Sequence, residues 1–212
     1  GIKNTSTLAA AVQTVVAGNY AYVTTQNDDS FRVIDISSST NPTIVAGIKN
    51  STTLNAAEGM VIRGDYAYVV AQSGDRITII DISSSTNPTV VGSLADSTNI
   101  NDAEYLDVVG NYAYIAAGLS NALTIVDISS TTNPVRVGGI ASSTALTDIR
   151  DVSVVGNYAY VSVAGVDAFR VIDISSSTNP IIVGGIASST ALDSAKDLEV
   201  LGNYAYVTAT DS

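Results

Sequence analysis

Carboxylates are the side chains in this sequence that could do chemistry, because its 212 residues include neither cysteine nor histidine. Thiolate nucleophiles, imidazole bases and the usual zinc ligands are thereby excluded. Two carboxylates facing one sugar can hydrolyse a glycosidic bond, and Asp151 with Asp197 or Glu104 is such a pair. Nothing in the sequence marks one member as the proton donor. The sequence therefore predicts no catalytic residue, no metal site and no cofactor.

The charge balance narrows the classes of partner. The formal net charge is −11, from 20 Asp and Glu against 9 Lys and Arg. A field of that sign disfavours nucleic acids and anionic membrane surfaces. No apolar run approaches the roughly 18 residues of a membrane span, and the first residues do not resemble a signal peptide. We expect no nucleic-acid partner and no insertion into a membrane.

The elements that position these groups are copies of one unit, because the sequence repeats every 46 residues without insertion or deletion. A Gly-Asn/Asp-Tyr motif begins at Gly18, Gly64, Gly110, Gly156 and Gly202. Asp-Ile-Ser and Asn-Pro motifs recur between these positions. Such a period indicates one supersecondary unit stacked on copies of itself. We therefore expect one repeat domain over residues 1–212.

Each unit reads as four short strands. In the fourth unit, apolar residues alternate over 152–155 and 158–163, and Val/Ile-rich segments follow at 169–174 and 181–186. Apolar residues on both faces indicate sheets covered by neighbours on both sides. The sequence predicts an all-β fold with virtually no helix, a β-propeller of four-stranded antiparallel blades rather than a parallel β-helix. Four full blades are expected at about 11–50, 57–96, 103–142 and 149–188, with a half-blade at 195–212.

These motifs resemble the LVIVD repeat family of bacterial and archaeal proteins. The resemblance rests on Gly-Asn-Tyr-Ala-Tyr-Val, then Phe-Arg-Val-Ile-Asp-Ile-Ser, then Asn-Pro-x-x-Val-x-Gly, and it covers essentially the whole chain. The name-giving strand is expected at 31–35, 77–81, 123–127 and 169–173. The resemblance implies a β-propeller found mostly in exported or cell-surface proteins. It implies no reaction, since the family shares no catalytic motif.

Two sequence positions that vary between the units are the candidates for a ligand surface. They come just before the predicted first strands, and in a propeller the start of the innermost strand forms one mouth of the channel. Because Val, Glu, Arg and Lys share one position, we expect no packing role there, and drift of a solvated loop is the alternative explanation. The ligand-binding candidates are Gln13, Glu58, Glu104, Tyr105, Arg150, Asp151, Lys196 and Asp197.

Residues that recur in every unit are expected to be structural. A repeated aspartate before Ile-Ser should close an Asx turn rather than join a cation-binding ring, at Asp35, Asp81, Asp127 and Asp173. Tyrosine pairs such as Tyr20 and Tyr22 share one face of a strand. We expect them to pack between blades, with an aromatic carbohydrate ladder as the alternative. The tips between second and third strands lack the residue order of a calcium loop.

The predicted half-blade leaves a strand edge and a sheet face uncovered. We therefore expect the chain to belong to a longer repeat polypeptide or to associate with copies of itself, as an oligomer or filament. Sequons at Asn4 and Asn50 matter only in a host that glycosylates them.

The function favoured by these observations is a non-enzymatic extracellular or cell-surface module that acts as a scaffold, an adhesion unit or a self-assembly unit. The alternative is a polysaccharide-binding protein, or a polysaccharide-active enzyme that uses acidic residues at the propeller mouth. A glycan is therefore a further candidate partner.

Overall fold

The computed structural model describes residues 8–210, and their regular structure is β-strand apart from one short 3-10 turn, Ala164–Val166. The first blade contains β1 (Ala11–Ala17), β2 (Tyr20–Thr25), β3 (Ser30–Asp35) and β4 (Thr43–Lys49). The second contains β5 (Ala57–Arg63), β6 (Tyr66–Ala71), β7 (Arg76–Asp81) and β8 (Thr89–Ala95).

The later units repeat this order. The third blade contains β9 (Ala103–Val109), β10 (Tyr112–Ala117), β11 (Ala122–Asp127) and β12 (Val135–Ala141). The fourth contains β13 (Ile149–Val155), β14 (Tyr158–Val163), β15 (Ala168–Asp173) and β16 (Ile181–Ala187). A final pair follows, β17 (Leu198–Leu201) and β18 (Tyr204–Val207).

Each blade is an antiparallel meander in which consecutive strands are neighbours. The turn between the first two strands begins with a glycine in the left-handed region, for example Gly18 at φ +58° and Gly156 at φ +60°. Glycine adopts this conformation without the steric penalty of a Cβ atom. The predicted all-β fold of four-stranded antiparallel blades is therefore confirmed, and the 3-10 turn occupies the tip between the second and third strands of the fourth blade.

The blades stand face to face, with their first strands side by side. The strands β1, β5, β9, β13 and β17 pack against one another in this order. Apolar clusters fill each interface between consecutive blades, here called a seam. The linkers before the second, third and fourth blades each contribute a fully buried side chain to a seam, namely Leu54, Ile100 and Leu146. Each seam thus has an apolar interior, and the first strands form its inner edge.

Glycines allow neighbouring blades to approach closely. A Cβ atom on Gly92 of β8 or Gly138 of β12 would collide with the backbone carbonyl of Thr131 or Ser177 in the next blade. These two glycines therefore allow the fourth strand of one blade to pack closely against the Ser/Thr-rich loop of the next blade. No helix in residues 8–210 is long and apolar enough to span a membrane.

Candidate functional site

In the first four units the two variable sequence positions lie inside the first strands, so the expectation that they precede those strands is wrong there, whereas Lys196 and Asp197 do precede β17. Arg150 and Asp151, for example, are the second and third residues of β13, which begins at Ile149 rather than at Val152. The ladder with β14 shifts register between Ile149 and Asp151. This β-bulge interrupts the alternation of side chains, and the start of the strand is therefore hidden in the sequence.

Side chains at the second of these positions make contacts across the seams. The carboxylate of Asp151 accepts one hydrogen bond from the amide of Val152 (2.7 Å) and one from the amide of Leu198 in the final pair (2.8 Å). Gln13 likewise accepts the amide of Met60 in the next blade. Both side chains thus provide acceptors for first-strand amides at a seam.

Gly59 shows why the same position tolerates different residue types. A Cβ on Gly59 would collide with the carbonyl of Glu104 and would lie 2.9 Å from Cα of Tyr105. At the β5–β9 seam the two backbones therefore pack directly against each other. At the seams of Gln13 and Asp151, a side chain instead accepts a backbone amide of the neighbouring strand. Asp107, two positions further along β9, adds a hydrogen bond to the amide of Val154 (2.8 Å).

The first variable position belongs to a polar network that spans four blades. Gln26 donates to the carboxylate of Glu58 (2.7 Å) and to the amide oxygen of Gln72 (3.1 Å). The carboxylate of Glu104 is ion-paired with Arg150. Arg150 also binds Asp148 at 2.7 Å. These polar side chains therefore lie in contact along the inner edge.

Burial changes the acidity of these carboxyl groups. Burial, together with the nearby charges of Glu104 and Asp102, raises the pKa of Glu58 to about 7. Burial also raises the pKa of Glu104, against the opposing effect of Arg150. For Asp151, burial raises the pKa to about 7 although the two backbone amides oppose this shift. The two carboxyls with the largest shifts are thus the enclosed ones.

A cavity of about 180 Å³ lies where the first strands of the third and fourth blades meet the final pair. Its lining residues are Glu104, Tyr105, Arg150, Lys196 and Asp197. Burial of Tyr105, followed by the negative charge of Asp197, raises the pKa of its hydroxyl group to about 12. The structure therefore brings together five of the eight ligand-binding candidates, while Gln13, Glu58 and Asp151 lie outside the cavity lining.

The recurring aspartates all have the same local geometry. In each, one carboxylate oxygen accepts the amide of the serine two residues later at 2.8–2.9 Å, at Asp35, Asp81, Asp127 and Asp173. The amide hydrogen bond defines an Asx turn, and hydrogen bonding by the side chain and amide of that serine lowers the pKa of each carboxyl. Within residues 8–210 no group of three or more acidic side chains could hold a metal ion.

The tyrosine pairs differ along the array. Tyr22, Tyr68 and Tyr114 are buried, whereas Tyr206 at the same repeat position is 59% exposed. Tyr22 also stacks on Phe31 with a centroid distance of 5.7 Å.

The tips between second and third strands hold the next blade. The side chain of Asp29 accepts the amide of Ala56 (3.0 Å), and Asn121 and Asp167 accept the amides of Asp148 and Ser194 in the same way. Asp29, Asn121 and Asp167 adopt left-handed conformations, with φ of 48–50°. We call these residues the tip clips.

Of the two sequon asparagines, only Asn50 lies within the described residues. Asn50 accepts the amides of Thr52 (2.9 Å) and Thr53 (3.0 Å), and Asn4 lies outside the described residues.

Sequence reasoning missed the residues that connect the candidates. Gln26 and Gln72 are 46 residues apart, and this repeated glutamine is the signal that could have linked them to Glu58 and Glu104. The next unit has Gly118 at this position, and a Cβ there would lie 3.1 Å from carboxylate oxygens of both Asp102 and Asp148. No local sequence signal reports that contact.

Solved structures from several bacteria share the fold. A functionally unknown protein from Desulfotomaculum acetoxidans aligns with a TM-score of 0.74 at 15% identity, over 94% of this chain and 62% of its own. A Lactobacillus plantarum protein gives 0.78 at 15%, over 95% and 67%. The periplasmic gluconolactonase of Pseudomonas aeruginosa gives 0.74 at 12%, over 94% and 57%. Identities this low show the fold alone, and the chain spans less than two thirds of the first and third of these proteins.

The sequence itself identifies the family. No curated protein matches it. The LVIVD repeat, however, matches five times, at residues 10–49, 56–96, 101–141, 148–187 and 193–212. These matches cover most of the sequence and follow the 46-residue period, and the chain therefore belongs to the LVIVD repeat family.

Proposed function

We propose that this chain is a non-enzymatic binding module of an exported or cell-surface protein, and that its ligand is a glycan. The observation that carries the proposal is the cavity lined by Glu104, Tyr105, Arg150, Lys196 and Asp197. Its lining combines carboxylates, cations and a phenol, which can serve the many hydroxyl donors and acceptors of a sugar. Its volume of about 180 Å³ is below the roughly 300–1,000 Å³ of drug-sized sites, so one sugar unit is the scale of ligand it suits.

The bonding of the carboxyl groups supports a binding role over hydrolysis. A glycosidase needs one protonated carboxyl facing the leaving group and a second carboxylate opposite it. Asp151 is committed to two backbone amides, and Glu104 is ion-paired with Arg150. Glu58, which burial keeps partly protonated near neutral pH, is only 9% exposed. None of these three groups is presented as a free acid or base.

A glycan screen combined with a turnover assay tests the proposal. Asp197→Asn should weaken glycan binding, because Asp197 lines the cavity. Glu199→Gln is the matched control, since Glu199 is an exposed carboxylate two residues further along, on β17, and lies outside the cavity lining. Product release from any polysaccharide that is abolished by Asp197→Asn or Asp151→Asn would overturn the non-enzymatic assignment. Absence of binding to every glycan would overturn the ligand class.

We propose association with another unit of the same kind as a second function, because a specific surface favours it. Several large apolar side chains on β16, β17 and β18 are exposed to solvent, for example Ile186 at 61% and Tyr204 at 71%. Contiguous apolar surface of this kind is typical of protein interfaces. The partner would be an LVIVD unit of a longer polypeptide or of a second copy.

Light scattering over a range of protein concentrations tests this association. Tyr206→Ser should reduce it, whereas Leu119→Ser, which removes an exposed apolar side chain at a tip of the third blade, should not. A protein that remains monomeric at all concentrations and binds no added LVIVD unit would refute it.

A further inference from the structure

Two cationic groups at the cavity have donors to spare. Among residues 8–210, no hydrogen bond or ion pair engages the ammonium group of Lys196. Arg150 uses its two terminal nitrogens on Glu104 and Asp148. Its Nε atom is shielded from solvent and has no partner within the described part of the chain. Each terminal nitrogen of Arg150 carries a second N–H group, so this guanidinium and the Lys196 ammonium can donate to an acceptor oxygen brought by a ligand.

The other side of the cavity offers acceptors. Asp197 is exposed, and its carboxylate lines the cavity beside Tyr105 and offers lone pairs to a ligand. Glu104 has an 18% exposed side chain and is paired with Arg150. A ligand that suits both sides must carry an anionic group for the cations and hydroxyl donors for the carboxylates.

The cations occur at one end of the inner edge. The first variable position holds Val12, Glu58 and Glu104 in the first three units and becomes basic only at Arg150 and Lys196. An anion at the seam of Glu58 would meet uncompensated carboxylates, because Glu104 and Asp102 already raise the pKa of that residue. We therefore expect one anion-accepting site among the described units.

We propose that the sugar unit bound in this cavity is acidic, a uronic acid residue whose carboxylate contacts the ammonium group of Lys196 and the guanidinium group of Arg150. Its hydroxyl groups donate to Asp197 and Glu104. This inference rests on the proposed glycan-binding function and adds the chemical class of the bound unit. Since the whole chain carries a net charge of −11, a terminal uronic acid suits the site better than the interior of a long polyanion.

Titration calorimetry with small sugars tests the inference. The probes are sodium D-glucuronate and D-galacturonate, with D-glucose, D-glucuronamide and sodium acetate as comparisons. At least one uronate should bind about tenfold more tightly than the neutral sugars and acetate, as expected for a charge-assisted contact. Lys196→Gln should remove most of this preference. Lys49→Gln, which changes a lysine in the first blade that pairs with Asp28, should leave it intact.

The outcomes separate the inference from the proposed function. Equal binding of neutral sugars and uronates, or an unchanged preference in Lys196→Gln, would overturn the acidic-sugar inference and leave glycan binding standing. Equal binding of acetate and uronates would show a simple anion site and would overturn the inference too. If no sugar binds and the glycan screen is negative, both fail.

Discussion

Replacing Gly138 by alanine should loosen the seam between the third and fourth blades, whereas the same change at Gly184 should not. The two glycines occupy the same repeat position, on β12 and β16. A Cβ on Gly138 would lie 2.8 Å from Cα of Thr178 and closer still to the carbonyl oxygen of Ser177. At Gly184 the nearest atom is Cβ of Val171 at 3.9 Å, an ordinary contact. Neither glycine has a positive φ, so backbone strain does not separate them.

The magnitude follows from two opposing effects. Overpacking costs about 1–3 kcal/mol when the neighbour is backbone. Exchanging glycine for alanine also reduces the entropy of the unfolded chain and stabilises the folded state by about 0.4–1 kcal/mol. Gly138→Ala should therefore lower the free energy of unfolding by about 1–2 kcal/mol, and Gly184→Ala should raise it slightly. Ala46 at this position in the first blade shows that a seam can accept a methyl group if its neighbours shift, which favours the lower value.

Urea unfolding followed by far-ultraviolet circular dichroism measures the difference. Repeat arrays can unfold in parts, so hydrogen exchange should also locate the loss of protection at the seam between β12 and the fourth blade. An unchanged unfolding midpoint for Gly138→Ala would refute the close-approach argument. Equal destabilisation by Gly184→Ala would refute it as well, because that site has space for a methyl group.

The remaining predictions concern buried groups. Between about pH 4 and pH 7 unfolding should become easier as pH rises, because Asp151 with its pKa of about 7 retains a proton in the folded chain that the unfolded chain has lost; urea titrations should show a flatter profile for Asp151→Asn. Below about pH 4 stability should fall as pH falls, because Lys49 and Arg32 hold the pKa of Asp28 at about 2; Asp28→Asn should reduce this decline in the same titrations. Leu146→Ala removes a fully buried side chain and should cost about 2–5 kcal/mol, and a loss below 1 kcal/mol in urea unfolding would contradict its role in the seam.

The fold was predictable because its signal is repeated. The second strand predicted at 158–163 coincides with β14, and its alternating residues and preceding glycine turn recur in every unit. The first strand was predicted too short because a bulge brings Arg150 and Asp151 into it. Their polar side chains break the period-two pattern on which the prediction rests.

The candidate site was harder to predict, because its residues act through position rather than type. Gln13 and Asp151 accept backbone amides of the next blade, and Gly59 closes a seam by having no side chain. When only the residue types at this repeat position are compared, glutamine, glycine and aspartate show no shared role. The grouping of Glu104, Tyr105 and the cations depends on how the seams bring first strands together, which no local pattern contains.

The tip clips have a consequence for how the gene can change. Asp29, Asn121 and Asp167 each bind a main-chain amide of the following unit, and every non-proline residue supplies such an amide. The same hydrogen bond can therefore form to a following unit whose side chains differ from those of the present neighbour. In-frame recombination that joined a unit with one of these three tips to a different successor would recreate this main-chain hydrogen bond at the new junction. The tip contact thus sets no limit on repeat number, whereas the inner-edge contacts differ from seam to seam.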